Sequence, residues 1–186
     1  MTRPNINPWL ILAFAGGMAY PLLVYFGTTV LSPMLLVLIG LSLMSIRLFV
    51  MRQNADIKIW KIAFLIASFG LVGMLFLNAH MAVQAYPVVV SLSVASIFGL
   101  SLLYPPTMVE RIARLMEPNL PPSGVIYTRR VTMVWTIFLL MNALISVATS
   151  IWGTLAQWTL WNGLISYLLM GMLFVGEIIV RRIVRQ

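Results

Sequence analysis

A chain of 186 residues with 61% hydrophobic and only 9% charged residues, and a mean hydropathy of +1.00, lies far from the soluble norm of about a quarter charged. The net charge of +8 would point to nucleic acid in a soluble protein, but here the basic residues flank apolar runs and no basic stripe is interleaved with exposed aromatics, which argues against that class. The absence of cysteine excludes disulfides, zinc-thiolate sites and thiol nucleophiles.

These properties predict an all-α integral membrane protein with six transmembrane helices in three hairpins, plus one short amphipathic helix on the cytoplasmic face. A hydrocarbon core of ~30 Å takes about 20 apolar residues at ~1.5 Å per residue, and its backbone must find hydrogen bonds within the helix. Six segments qualify: Pro8–Phe26, Val30–Val50, Ile59–Leu77, Tyr86–Tyr104, Val131–Ile151 and Leu160–Val180. Arg3 and the Ala13-Phe14-Ala15 triplet give the start a signal-peptide look, but apolar sequence runs on to Phe26, so an uncleaved first helix is expected. Pro21 predicts a kink in it, Pro33 interrupts or begins the second span, and Pro87 suits the first turn of the fourth.

Orientation follows from lysine and arginine. They occupy the N-terminal tail (Arg3), the second connection (Arg47, Arg52, Lys58, Lys61), the fourth (Arg111, Arg114, Arg129, Arg130) and the C-terminal tail (Arg181, Arg182, Arg185), while the other three connections have none. Under the positive-inside rule both termini are then cytoplasmic. Trp152, Trp158 and Trp161 suit the outer headgroup belt. Trp60 precedes Pro87 by the same interval that separates Trp135 from Asn162, a faint internal repeat consistent with hairpins.

Few residues offer chemistry. Asn142 falls near the middle of the fifth span, where a polar side chain should face another helix or a substrate path. His80 is the only histidine, with no carboxylate or second metal ligand in its connection, so it reads as interfacial. Glu177 precedes Arg181 by four residues, which predicts a local ion pair. Ala63, Ala67, Gly70 and Gly73 in the third span, and Gly171 and Gly176 in the sixth, would allow close helix approach, and the 13 methionines read as adaptable filler. No catalytic, cofactor or metal motif is present.

The fourth connection is the most informative. Pro105-Pro106 ends a span, and Thr107-Met108-Val109-Glu110 has the T-x-x-E form of a capping box, which predicts a helix to about Glu117. At ~100° per residue, Met108, Val109, Ile112, Leu115 and Met116 fill one arc, and Glu110, Arg111, Arg114 and Glu117 the other. Such a helix lies on the membrane surface. Pro118, Pro121 and Pro122 stiffen its exit, and Tyr127, Arg129 and Arg130 mark re-entry. Glu110, Arg111, Arg114, Tyr127, Arg129 and Arg130 are therefore the candidate residues for binding lipid headgroups or a partner.

Tyr86-Pro87, S-L-L-Y-P-P at Ser101–Pro106, E-R-I-A-R-L-M-E-P-N-L-P-P at Glu110–Pro122 and Y-T-R-R-V-T at Tyr127–Thr132 resemble a family of small bacterial inner-membrane proteins encoded in aryl-polyene (xanthomonadin-like) pigment clusters. At lower similarity, P-L-L-V-Y-F at Pro21–Phe26, the L-P-P of the loop, and Trp135, Phe138, Asn142 and Trp161 resemble the intracellular septation protein A family. The first resemblance implies a setting of acyl carrier proteins, ketosynthases and acyltransferases, and the second implies cell-envelope synthesis. Together they lead to the expectation of a non-catalytic accessory or scaffold protein for lipid-like or polyene assembly at the inner leaflet. Its partners would be membrane phospholipid and an acidic cytosolic protein such as an acyl carrier protein. The alternative is a small transporter or flippase using a path through Asn142.

Overall fold

The computed structural model of the chain describes residues 8–51, 69–70, 72–73, 76 and 78–184, and among them every regular element is helical. In chain order these are α1 (Pro8–Gly27), α2 (Pro33–Met51), α3 (Ala79–Leu103), α4 (Met108–Met116), α5 (Pro122–Trp152) and α6 (Leu155–Leu160), which runs through a π-helical turn (Trp161–Ile165) into α7 (Ser166–Val184). Three stretches are long and apolar enough to cross a membrane, namely Met81–Leu103, Pro122–Trp152 and Leu155–Arg181, and Pro33–Leu43 is a shorter apolar helix. The expectation of six spans is met in its coarser part, an all-helical chain with three such helices. α1 and α2 lie where the first two spans were expected, and most of the third, Ile59–Leu77, with Trp60, lies outside the described residues.

Several boundaries differ from the sequence reading, each for a local reason. α3 starts at Ala79 rather than Tyr86 because the Asn78 side chain accepts from the Met81 N–H at 3.2 Å, a capping bond that a hydropathy window does not register. Pro87 therefore sits inside α3, not in its first turn. Pro21 likewise sits inside α1 without ending it. α5 begins at Pro122, well before Val131, because a proline at the first helical position starts a helix where the sequence suggested only a stiff loop. Its 31 residues reach about 46 Å, longer than a ~30 Å hydrocarbon core by the length of about ten residues.

The helices close into a ring: α1 packs on α2, α2 on α3, α3 on α5, α5 on α6, and α6 with its π turn back on α1. The core lies at one end of this ring. There Tyr20 and Val24 of α1, Leu36 and Val37 of α2, Ala82, Val83 and Tyr86 of α3, and Trp158 of α6 form one buried cluster. The Tyr20 and Tyr86 rings lie 4.3 Å apart, and a Cβ on Gly40 would stand 3.0 Å from the Tyr86 ring, so glycine there lets α2 lie over both tyrosines without pressing on them. Tyr20 also resolves a problem set by Pro87. Lacking an N–H, Pro87 leaves the Val83 carbonyl without its helical donor, and the Tyr20 hydroxyl donates to it at 3.2 Å.

Large apolar side chains cover the outside, with Phe26, Phe76, Leu103 and Trp152 among the most exposed, as a lipid-facing surface requires. Gly171 and Gly176 of α7 have no heavy atom within 4 Å of where a Cβ would stand. Among the described residues they are therefore not the close-approach positions the sequence suggested.

Candidate functional site

Two polar regions interrupt this apolar body. The first is α4 and its surroundings, at the end of the ring opposite the Tyr20 core. α4 forms where expected, and its first turn is sealed by three elements: the Met108 N–H donates to Ser101 Oγ of α3 (2.9 Å), the Val109 N–H to Thr132 Oγ1 of α5 (3.3 Å), and the Arg111 N–H to the Thr107 carbonyl (2.9 Å). Two of the donors a helix start leaves unpaired are thus taken by neighbouring helices. Thr132 is fully buried at this junction and donates to the Thr128 carbonyl at 2.8 Å.

Glu110, placed by the helical wheel on a solvated arc, is instead 5% exposed. Its carboxylate accepts from the Thr107 N–H (3.4 Å), one half of the expected box, and from Arg114 Nε and Nη2 (2.9 and 2.8 Å). Arg114 Nη1 reaches on to the Pro118 carbonyl (3.2 Å), and Arg111 Nε donates to the Pro106 carbonyl (2.9 Å). These two arginines therefore clamp the entry and exit of the connection. Arg129 and Arg130, by contrast, are exposed near the start of α5. On the apolar arc, Ile112 is half exposed and Leu115 is 84% exposed, free to meet lipid or another surface.

Between α4, the start of α5 and the end of α7 lies a cavity of about 330 Å³. Val109, Ile112, Leu120 and Pro121 give it an apolar floor, and Glu117, Tyr127, Glu177 and Arg181 a polar rim. The Tyr127 hydroxyl donates to the Glu177 carbonyl at 3.2 Å, tying α5 to α7. Burial pushes the Tyr127 phenol above its usual pKa, Glu177 adding to the rise and Arg181 opposing it, so it stays a donor. The expected Glu177–Arg181 ion pair is not formed. The Glu177 carboxylate turns instead to Trp135 of α5, whose indole N–H donates to it at 3.5 Å, and Arg181 makes no hydrogen bond or ion pair among the described residues.

The second region lies within the ring, where Asn142 is buried as its position suggested. Its amide donates to Ser91 Oγ of α3 (3.0 Å) and its carbonyl accepts from the Trp161 indole N–H (3.1 Å). One turn on, Ser146 donates to Asn162 Oδ1 (2.8 Å), and Asn162 Nδ2 donates to the Trp158 carbonyl (2.9 Å). The π turn presents the adjacent Trp161 and Asn162 to α5 together, a feature for which the sequence carries no signal. Beside this clasp is a cavity of about 210 Å³, bounded by Phe98, Trp135 and Leu139 on the apolar side and Ser91, Asn142 and Ser166 on the polar side.

Sequence reasoning did not place Ser101 and Thr132 at this site, and it gave Arg181 only the role of ion-pair partner to Glu177. The His80 side chain lies outside the described residues. Among those described, no cluster of three or more histidine, cysteine, aspartate or glutamate side chains could hold a metal. In comparisons with protein-family models, curated proteins and solved structures the chain matches none.

Proposed function

We propose that the chain is a non-catalytic, multi-pass accessory protein of the bacterial inner membrane, which organises lipid-like or aryl-polyene assembly at the cytoplasmic leaflet. The observation that carries this reading is the α4 platform: a short helix sealed by Ser101 and Thr132, clamped by Arg111 and Arg114, and roofing a mixed apolar and charged cavity. A passive linker needs none of these bonds. In the proposed topology α4, the start of α5 and the end of α7 lie on the cytoplasmic side, where Arg129 and Arg130 are presented to an acidic protein such as an acyl carrier protein.

The six-span topology is part of the proposal and has support in the packing of α2 and α3. Leu36 meets Val83 through the Tyr20 hydroxyl, and Gly40 lies against Tyr86, so the two helices run in the same direction. A chain leaving α2 at Met51 must cross back before α3 begins at Ala79, and the apolar run Ile59–Leu77 has the length to do so.

The transporter reading rests on the inner cavity beside Asn142. It is the weaker one, because both ends of the Asn142 amide are taken by other helices. Purification in mild detergent tests the choice. An acidic acyl-carrying protein should co-purify at low salt, and be lost at high salt or when Arg129 and Arg130 are both alanine. Failure to recover such a partner, together with translocation of a labelled amphiphile in proteoliposomes, would replace the accessory role with transport.

A further inference from the structure

We infer that the cavity between α4, α5 and α7 is a binding site for one phospholipid-like amphiphile whose head carries both a phosphate and a primary ammonium group. This rests on the proposed function only in placing the α4 end at the inner leaflet. The cavity is of ligand-pocket size at about 330 Å³. Its floor of Val109, Ile112 and Leu120 suits the first methylenes of a chain, which excludes a purely hydrophilic anion as the natural occupant.

The rim fixes the head. Arg181 brings a guanidinium with no hydrogen bond or ion pair of its own among the described residues, and guanidinium is the side chain best shaped for phosphate. Ser123 and Gly124, which also line the cavity, sit in the first turn of α5, whose N–H groups no capping side chain takes. Glu177 lines it as well, so a simple anion would meet a carboxylate beside the arginine. A head with an ammonium group a few bonds from its phosphate satisfies both signs at once. A primary ammonium can donate hydrogen bonds to that carboxylate, which a quaternary one cannot.

The test uses the purified full chain in a neutral detergent, with binding read by native mass spectrometry and by thermal shift. The probes are lysophosphatidylethanolamine, lysophosphatidylglycerol, lysophosphatidylcholine and chain-free phosphoethanolamine. The first should bind about tenfold more tightly than the other two lipids, and phosphoethanolamine should not bind in the same concentration range. Arg181→Gln should weaken it about tenfold and Arg181→Lys less. Glu177→Gln should erase the preference over lysophosphatidylglycerol, and Ile112→Trp, which fills the cavity, should abolish binding. Equal binding of the three lipids, no effect of Arg181→Gln, or phosphoethanolamine binding as well as the lipid would each overturn the assignment. Loss of lipid selectivity with the acidic partner still co-purifying refutes this site alone, whereas loss of the partner with selectivity intact refutes the scaffold role alone.

Discussion

The hydroxyl of Tyr20 stands 3.2 Å from the carbonyl of Val83, four residues before Pro87, and supplies the donor that the proline cannot. A proline inside one helix and a tyrosine on another are thereby one device. Tyr20→Phe should cost about 1 kcal/mol by orphaning that carbonyl. Pro87→Ala restores the helical N–H, so the same tyrosine change should cost clearly less in that background. A double-mutant cycle on unfolding in detergent measures the coupling, and additive effects would mean the bond contributes nothing.

Gly40 gives a steric prediction. A methyl group there would stand 3.0 Å from the Tyr86 ring in a fully buried seam, so Gly40→Ala should destabilise the bundle by about 1–3 kcal/mol. Gly171→Ala and Gly176→Ala, with open space at the same distance, are the matched controls and should be neutral or slightly stabilising. Thermal unfolding of the three variants side by side decides it.

Asn142 should behave as a structural link. Replacing it by leucine removes two interhelical bonds, each worth about 0.6 kcal/mol in a membrane protein, and leaves the Trp161 indole and the Ser91 hydroxyl to find other partners. The expected loss is about 1 kcal/mol with lipid capture at the α4 end unchanged. Trp161→Phe should then add little to Asn142→Leu. Normal stability combined with complete loss of cellular function would move the balance to a substrate path.

At α4, Thr132→Val removes the acceptor of the Val109 N–H while keeping volume, and Thr132→Ser keeps it. Hydrogen exchange at Val109 should accelerate about tenfold in the valine variant and stay slow in the serine one. Glu110→Ala should loosen the whole connection, because one carboxylate serves both the cap and Arg114. Arg111→Lys and Arg114→Lys should act through the same loosening. If they weaken partner capture with exchange across α4 unchanged, the arginines contact the partner directly.

How much of this was legible depends on how far each cause reaches along the chain. The T-x-x-E box announced α4 because its bonds close within four residues, and Asn142 announced an interhelical partner because its amide has no other outlet at that depth. The destination of the amide was not legible, since Ser91 and Trp161 lie 51 and 19 residues away. The wheel placed Glu110 in solvent because it weighs hydropathy alone, whereas Arg114 and the cap make burial tolerable. Glu177 and Arg181 have ion-pair spacing, yet Trp135, brought alongside only by the packing of α5 and α7, takes the carboxylate. That long-range competition is what leaves a cation at the cavity.

The clasp around Asn142 and Asn162 also acts on structures the chain does not adopt. Each of its bonds is weak against the loss it prevents, but all are directional. If α5 rotated about its own axis by one residue, ~100°, Asn142 and Ser146 would turn away from Ser91, Trp161 and Asn162 together, and all three bonds between α5 and its neighbours would be lost at once. Apolar side chains on α5 would tolerate that rotation almost freely, since lipid tails and leucine offer the same surroundings. The π turn makes the demand stricter by presenting two consecutive residues to one face. The polar groups in the membrane thus set the rotational phase of α5, and with it the direction in which Tyr127 and Trp135 point along the same helix.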